Sequence, residues 1–95
     1  MYGSVSRWIA KEGKEEALEA LVDEISKSPY PGSRALTVYR SDTNPREYWV
    51  AGVFESREVY TSNSASPETT ANFQRLRGLM ESDPEWHDGE VIVSR

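Results

Sequence analysis

Three kinds of hydrophobic pattern follow one another along this chain, and each predicts a different element. From Gly3 to Lys11 the residues alternate, with Val5, Arg7 and Ile9 on one side and Ser4, Ser6, Trp8 and Ala10 on the other. That two-residue period predicts a strand. Gly13 breaks it, and Ala17, Leu18, Leu21, Val22 and Ile25 then recur at the spacing of one helical face, predicting a helix over about 14–27. Glu15 and Glu16 at its start and Lys27 at its end match the helix dipole. The run Ser28-Pro29-Tyr30-Pro31-Gly32 ends it. A second strand is predicted at 34–40, and the turn Ser41-Asp42-Thr43-Asn44-Pro45 joins it as a hairpin to a third.

The third strand, Tyr48–Phe54, is apolar on both faces. Tyr48, Val50, Gly52 and Phe54 point one way, and Trp49, Ala51 and Val53 the other. Such a strand belongs at the centre of its sheet, covered on both sides. Ser56 then suits a helix N-cap, and a short helix is expected over about 57–63. Ser66-Pro67 opens another helix, with Phe73, Leu76, Leu79 and Met80 as its buried stripe, and Asp83-Pro84 stops it. Residues 86–89 are expected as a loop, and 90–94, around Val91, Ile92 and Val93, as the last strand.

The order is β-α-β-β-α-β with an extra short helix. It predicts an α+β, ferredoxin-like domain with a four-stranded antiparallel sheet, spanning residues 1–95 as one unit. Right-handed crossovers place the first and third strands side by side in the centre. Helices then cover one sheet face only. The other face would show Val5, Ile9, Trp49, Ala51 and Val53 to water, at a cost of about 25 cal/mol per Å². A second copy packed face to face removes that cost, so a homodimer is expected. Arg7, set among these residues, needs an acceptor, and a hydrogen bond across the dimer would supply one.

Composition narrows the chemistry. The 95 residues include no cysteine and one histidine, so neither a disulfide nor a zinc site is expected. The lack of cysteine, and an N-terminus without signal-peptide character, fit the cytoplasm. The longest apolar run is far too short to span a membrane. A net charge of −5 with scattered Lys and Arg argues against nucleic acid and anionic membrane partners. The glycines form no phosphate loop, and no serine stands in a nucleophile elbow. Asp83, Glu85, Asp88 and Glu90 fit no calcium loop and are expected to be solvated.

Several segments together resemble the antibiotic-biosynthesis monooxygenase domain, a member of the dimeric α/β-barrel superfamily. They are Lys11-Glu12-Gly13-Lys14-Glu15-Glu16, Pro31-Gly32, Val38-Tyr39-Arg40-Ser41, Phe54-Glu55-Ser56-Arg57-Glu58-Val59-Tyr60 and Ser66-Pro67. The resemblance implies a homodimer with its two sheets facing each other. Val5, Arg7, Ile9, Trp49, Ala51 and Val53 would lie at the interface. It also implies a pocket between sheet and helices in each subunit. Oxygenation of a small electron-rich aromatic, such as a phenol, quinol or anthrone, would occur there without metal, flavin or other cofactor.

By the family's layout, Ser4, Ser6, Trp8, Tyr48, Val50, Phe54, Asn63 and Phe73 would bind the substrate. Anthrone-oxygenating relatives carry an asparagine, a tryptophan, a tyrosine and an arginine in this region. Only the tyrosine is kept, as Tyr60; Val50, Phe54 and Phe73 hold the other positions. Haem-degrading relatives use an asparagine, a tryptophan and a histidine where Ser6, Asn63 and Phe73 stand, so haem degradation is not expected. Tyr60 is therefore the leading catalytic candidate, with core packing as its alternative role. His87 follows, as the one side chain that ordinarily titrates near neutrality. The competing function is a non-catalytic small-molecule-binding or structural dimer, which the apolar replacements favour.

Overall fold

The computed structural model describes residues 1–95. Its elements are β1 (Tyr2–Ile9), α1 (Glu15–Ser26), β2 (Ser33–Arg40), β3 (Glu47–Phe54), α2 (Arg57–Ala65), α3 (Pro67–Arg77) and β4 (Glu85–Glu90). The strands form one antiparallel sheet in the order β2-β3-β1-β4. As expected for the ferredoxin-like plan, β1 and β3 lie in the centre and β2–β3 is a hairpin.

Local chemistry explains the boundaries. Gly13 takes φ +80° in the turn before α1, and the Glu15 carboxylate accepts its N–H at 2.9 Å. The Ser56 hydroxyl caps α2 by accepting from Val59 N at 3.1 Å. Ser66 does the same for Thr69 at the start of α3, where Pro67 has no N–H in need of an acceptor. Gly32 sits at φ +93°, and a β-carbon there would meet a Val59 methyl at 2.6 Å. Glycine thus lets the start of β2 pass beneath α2.

The register sorts the central residues. Tyr2, Ser4, Ser6 and Trp8 stand opposite Phe54, Gly52, Val50 and Tyr48 on the helix-covered face. There Trp8, Leu18, Tyr48, Val50, Leu76 and Met80 make the core, with Leu21, Val22 and Ile25 packed against it. The other face carries three cross-strand rows: Gly3–Val53–Ala35, Val5–Ala51–Thr37 and Arg7–Trp49–Tyr39. No helix lies over these rows; Val5 is 42% exposed and Tyr39 57%.

Two expectations need correction. The last strand is 85–90, so Trp86–Gly89 belongs to a strand rather than a loop, and Val91–Val93 lie beyond it. β4 is an edge strand with every residue exposed. Its backbone ladder to β1 holds it, so it carries no alternating apolar signal. The apolar triplet beyond it is largely uncovered, with Ile92 87% exposed. Within its own chain Arg7 also finds an acceptor, the Glu47 carboxylate on β3. That guanidinium contact holds the Glu47 carboxyl below its usual range.

Candidate functional site

Tyr60 lies in α2, one helical turn beyond the Ser56 cap, and its ring enters an aromatic cluster at one end of the sheet. Tyr2 on β1 packs against it at a centroid distance of 5.3 Å, tilted by 45°. Phe54 on β3 meets it edge-on at 5.2 Å and 66°. These contacts fix the ring and leave the hydroxyl one direction to point. It donates to Asp88 Oδ2 at 3.0 Å. Ser4, itself buried, donates to Asp88 Oδ1 at 2.5 Å. One carboxylate therefore gathers two hydroxyls from α2 and β1.

The position of β4 makes this arrangement possible. Asp88 pairs with Ser4 across the β1–β4 ladder, so its side chain shares the helix-covered face. His87, one residue earlier, pairs with Val5 and belongs to the opposite face. It is exposed and contacts Glu85 at 2.9 Å. The structure thus separates the two catalytic candidates and puts an unforeseen aspartate beside Tyr60. No sequence signal marks Asp88: β4 has no alternating apolar pattern, and only the β1–β4 ladder sets the face of this side chain.

Burial first, and then the Asp88 hydrogen bond and charge, push the Tyr60 hydroxyl above its ordinary range; the Ser4 contact pulls the other way. Tyr60 is consequently a neutral phenol at physiological pH. Alone it is a poor base, but it can donate to Asp88 while its oxygen accepts a hydrogen bond from a ligand.

The remaining expected pocket residues disperse. Ser6 accepts from Trp8 Nε1 at 2.9 Å, in the buried centre. Val50 is core. Asn63 accepts from Thr69 and so ties α2 to α3. Phe73 packs against Trp86 of β4 at 6.0 Å. Trp8 and Tyr48 instead line an open cavity of about 410 Å³ between α1 and the β2–β3 side of the sheet. Leu18, Val22, Leu36 and Val38 complete its apolar wall. Tyr48 donates to Glu19 Oε2 at 2.5 Å, and Arg40 donates to the same oxygen at 2.8 Å. Burial and then Glu19 push the Tyr48 hydroxyl up to about 12.

No three His, Cys, Asp or Glu side chains converge as a metal-binding group. No helix is long and apolar enough to cross a membrane.

Known proteins resemble this architecture throughout. A Chloroflexus aurantiacus J-10-fl protein, provisionally named an antibiotic biosynthesis monooxygenase, superposes with a TM-score of 0.83 at 24% identity, covering 99% of this chain and 95% of that one. A Deinococcus radiodurans protein with the same provisional name gives 0.87 at 16% identity, covering 100% and 96%. A mutant of SnoaB, a cofactor-independent oxygenase from Streptomyces nogalater, gives 0.85 at 17%, covering 98% and 94%. These likenesses establish the fold. Among curated protein sequences, none matches the chain. The sequence model of the family described as antibiotic biosynthesis monooxygenase matches residues 1–75, most of the chain including Tyr60. This chain therefore belongs to the antibiotic biosynthesis monooxygenase family.

Proposed function

We propose that the protein is a cofactor-independent monooxygenase acting on a small electron-rich aromatic, and that its proton acceptor is the Tyr60–Asp88 pair. The hydrogen bond from the Tyr60 hydroxyl to Asp88 Oδ2 carries this reading. A substrate hydroxyl or enol would donate to the Tyr60 oxygen as Tyr60 passes its own proton to Asp88. Tyrosine stays neutral throughout, so its raised pKa is no obstacle. Ser4 holds the other carboxylate oxygen and keeps the acceptor in place. Tyr2, Phe54 and Tyr60 offer ring faces and edges to a flat substrate.

The chemistry balances with dioxygen as the oxidant. Removing a proton leaves an electron-rich anion that passes one electron to dioxygen. The resulting substrate radical and superoxide combine to a peroxide on carbon. Loss of water from a peroxide formed at a methylene leaves a carbonyl. The net change is CH2 plus O2 to C=O plus H2O, with the substrate supplying every electron. The protein supplies the proton path and an aromatic wall.

The working unit in this proposal is a homodimer joined through Val5, Arg7, Ile9, Trp49, Ala51 and Val53. Only ten of the 95 residues are buried in the isolated chain, and apolar rows remain on the uncovered sheet face. A second sheet packed there would add a core that one chain lacks.

The test is dioxygen uptake by chelator-treated protein supplied with an anthrone or a quinol. Uptake coupled to loss of substrate supports the oxygenase. Binding of such compounds without uptake favours the non-catalytic alternative.

A further inference from the structure

The sheet has two free edges, β2 and β4, and they are unlike. β4 is short and carries Glu85, His87, Asp88 and Glu90, the kind of charged edge that resists pairing with other chains. β2 runs for eight residues, and its middle, Ala35-Leu36-Thr37-Val38-Tyr39, holds neither a charge nor a proline. Leu36 is 47% exposed. An unguarded apolar edge of this kind is a template for another extended segment.

The chain also holds an extended apolar segment without cover. Ile92 and Val93 follow β4 and stand in solvent, Val93 with 66% of its surface exposed. Val91 just before them is anchored: its N–H donates to Met1 O at 3.0 Å, and its methyl lies beside Gly3. The β2 of the same chain is three strand spacings away, about 14 Å. Two residues beyond Val91 extend about 7 Å, so the segment cannot reach its own β2.

A facing sheet is nearer, at about 10 Å, within reach of two residues and their side chains. A two-fold axis across the strands would stack one acidic β4 on the other. An axis parallel to the strands lays each β4 over the partner's β2, whose ends carry Arg34 and Arg40. Charge favours the second arrangement. There the levels also match. Glu90 pairs with Tyr2, Tyr2 with Phe54, and Phe54 with Ser33. Val91 therefore leaves one subunit level with the first residues of the partner's β2.

We infer that Val91–Val93 form an arm that crosses the seam of the dimer and packs Ile92 and Val93 on Ala35 and Leu36 of the partner subunit. The inference rests on the proposed homodimer and adds to it a reciprocal contact outside the facing sheet rows. It covers the apolar triplet and the unguarded edge in one step.

Hydrogen–deuterium exchange over residues 33–40 tests it, together with sedimentation equilibrium, in wild type and in Ile92→Ser/Val93→Ser. Both replaced side chains are exposed in the single chain, so the variant keeps its fold, which circular dichroism checks. The expected result is a dimer dissociation constant raised by about tenfold or more. Exchange over 33–40 should also quicken by about tenfold at concentrations where the variant is still a dimer. Since the arm cannot touch its own β2, that change reports contact between subunits. A short bis-maleimide gives a second reading, free of background because the chain has no cysteine. Ile92→Cys chains mixed with Ala35→Cys chains should yield a covalent dimer that neither variant yields alone. Unchanged exchange over 33–40 in a dimeric variant, or no cross-link in the mixture, overturns the arm and leaves the homodimer standing. A monomeric wild type overturns both.

Discussion

Tyr60 and Asp88 stand 28 residues apart and meet in a 3.0 Å hydrogen bond across the end of the sheet. Neither residue makes a proton acceptor of this kind alone. The tyrosine is too weak an acid to be a phenolate at neutral pH, and burial makes it weaker. The aspartate is exposed and on an edge strand, but Ser4 and Tyr60 fix both of its oxygens. The proposed relay passes the proton through a neutral tyrosine to Asp88.

Asp88→Asn separates the relay from the aromatic cluster. The amide keeps an acceptor oxygen for one hydroxyl but cannot take up a proton. Dioxygen uptake should fall by about a hundredfold, while near-ultraviolet circular dichroism of the Tyr2, Phe54 and Tyr60 cluster stays close to wild type. Undiminished uptake would exclude Asp88 as the terminal acceptor.

Tyr48 should mark the alkaline limit of the fold. Its native pKa of about 12 lies above the ordinary value of 10.0. Between those values the native state holds a proton that the unfolded chain has lost. The stability linked to this group is therefore fully present below pH 10 and declines as pH rises towards about 12. Absorbance at 295 nm should show a tyrosine that ionises at about pH 12, and Tyr48→Phe should remove that step. Tyrosines titrating together near pH 10 would contradict the buried Tyr48–Glu19 contact.

Val53→Lys tests the face-to-face dimer. Wild-type protein should scatter light as a species of about twice the 10.8 kDa chain mass. A lysine in the row Gly3–Val53–Ala35 would bury its charge at the interface, at a cost of several kcal/mol, and should yield monomer or aggregate. A well-folded wild-type monomer at micromolar concentration would rule the dimer out.

Gly32→Ala should destabilise the chain by about 1–3 kcal/mol, because alanine resists positive φ and its methyl would press on Val59. Thermal unfolding measures this. The double variant with Val59→Ala should recover the clash but not the backbone strain, so rescue should be partial. Full rescue would assign the entire cost to the clash.

Much of the fold was legible because its elements carry strong periodicities. Tyr48–Phe54 is apolar on both faces and is a central strand; Leu18, Leu21, Val22 and Ile25 share one helical face and all meet the core. Ser56 and Ser66 announce their helices through hydroxyl caps that the structure contains. β4 was not legible, since an edge strand is held by backbone pairing and its side chains are all exposed. The misplaced strand concealed Asp88, for a residue read as part of a loop has no sheet face assigned to it. Glu19 carries no signal in the sequence, and only the placement of α1 over the sheet brings it to Tyr48 and Arg40. The partner of Arg7 likewise depends on the β1–β3 register, which puts Glu47 within reach.

The most direct test of the central claim follows isotopic oxygen through the wild type and Tyr60→Phe. Chelator-treated protein is given an anthrone under 18O2, and the product is weighed by mass spectrometry. One 18O atom is expected in the wild-type product, with a turnover lower by about a hundredfold in Tyr60→Phe and ligand affinity changed by only ~1 kcal/mol. Product without 18O, or a Tyr60→Phe protein that turns over at the wild-type rate, would contradict it.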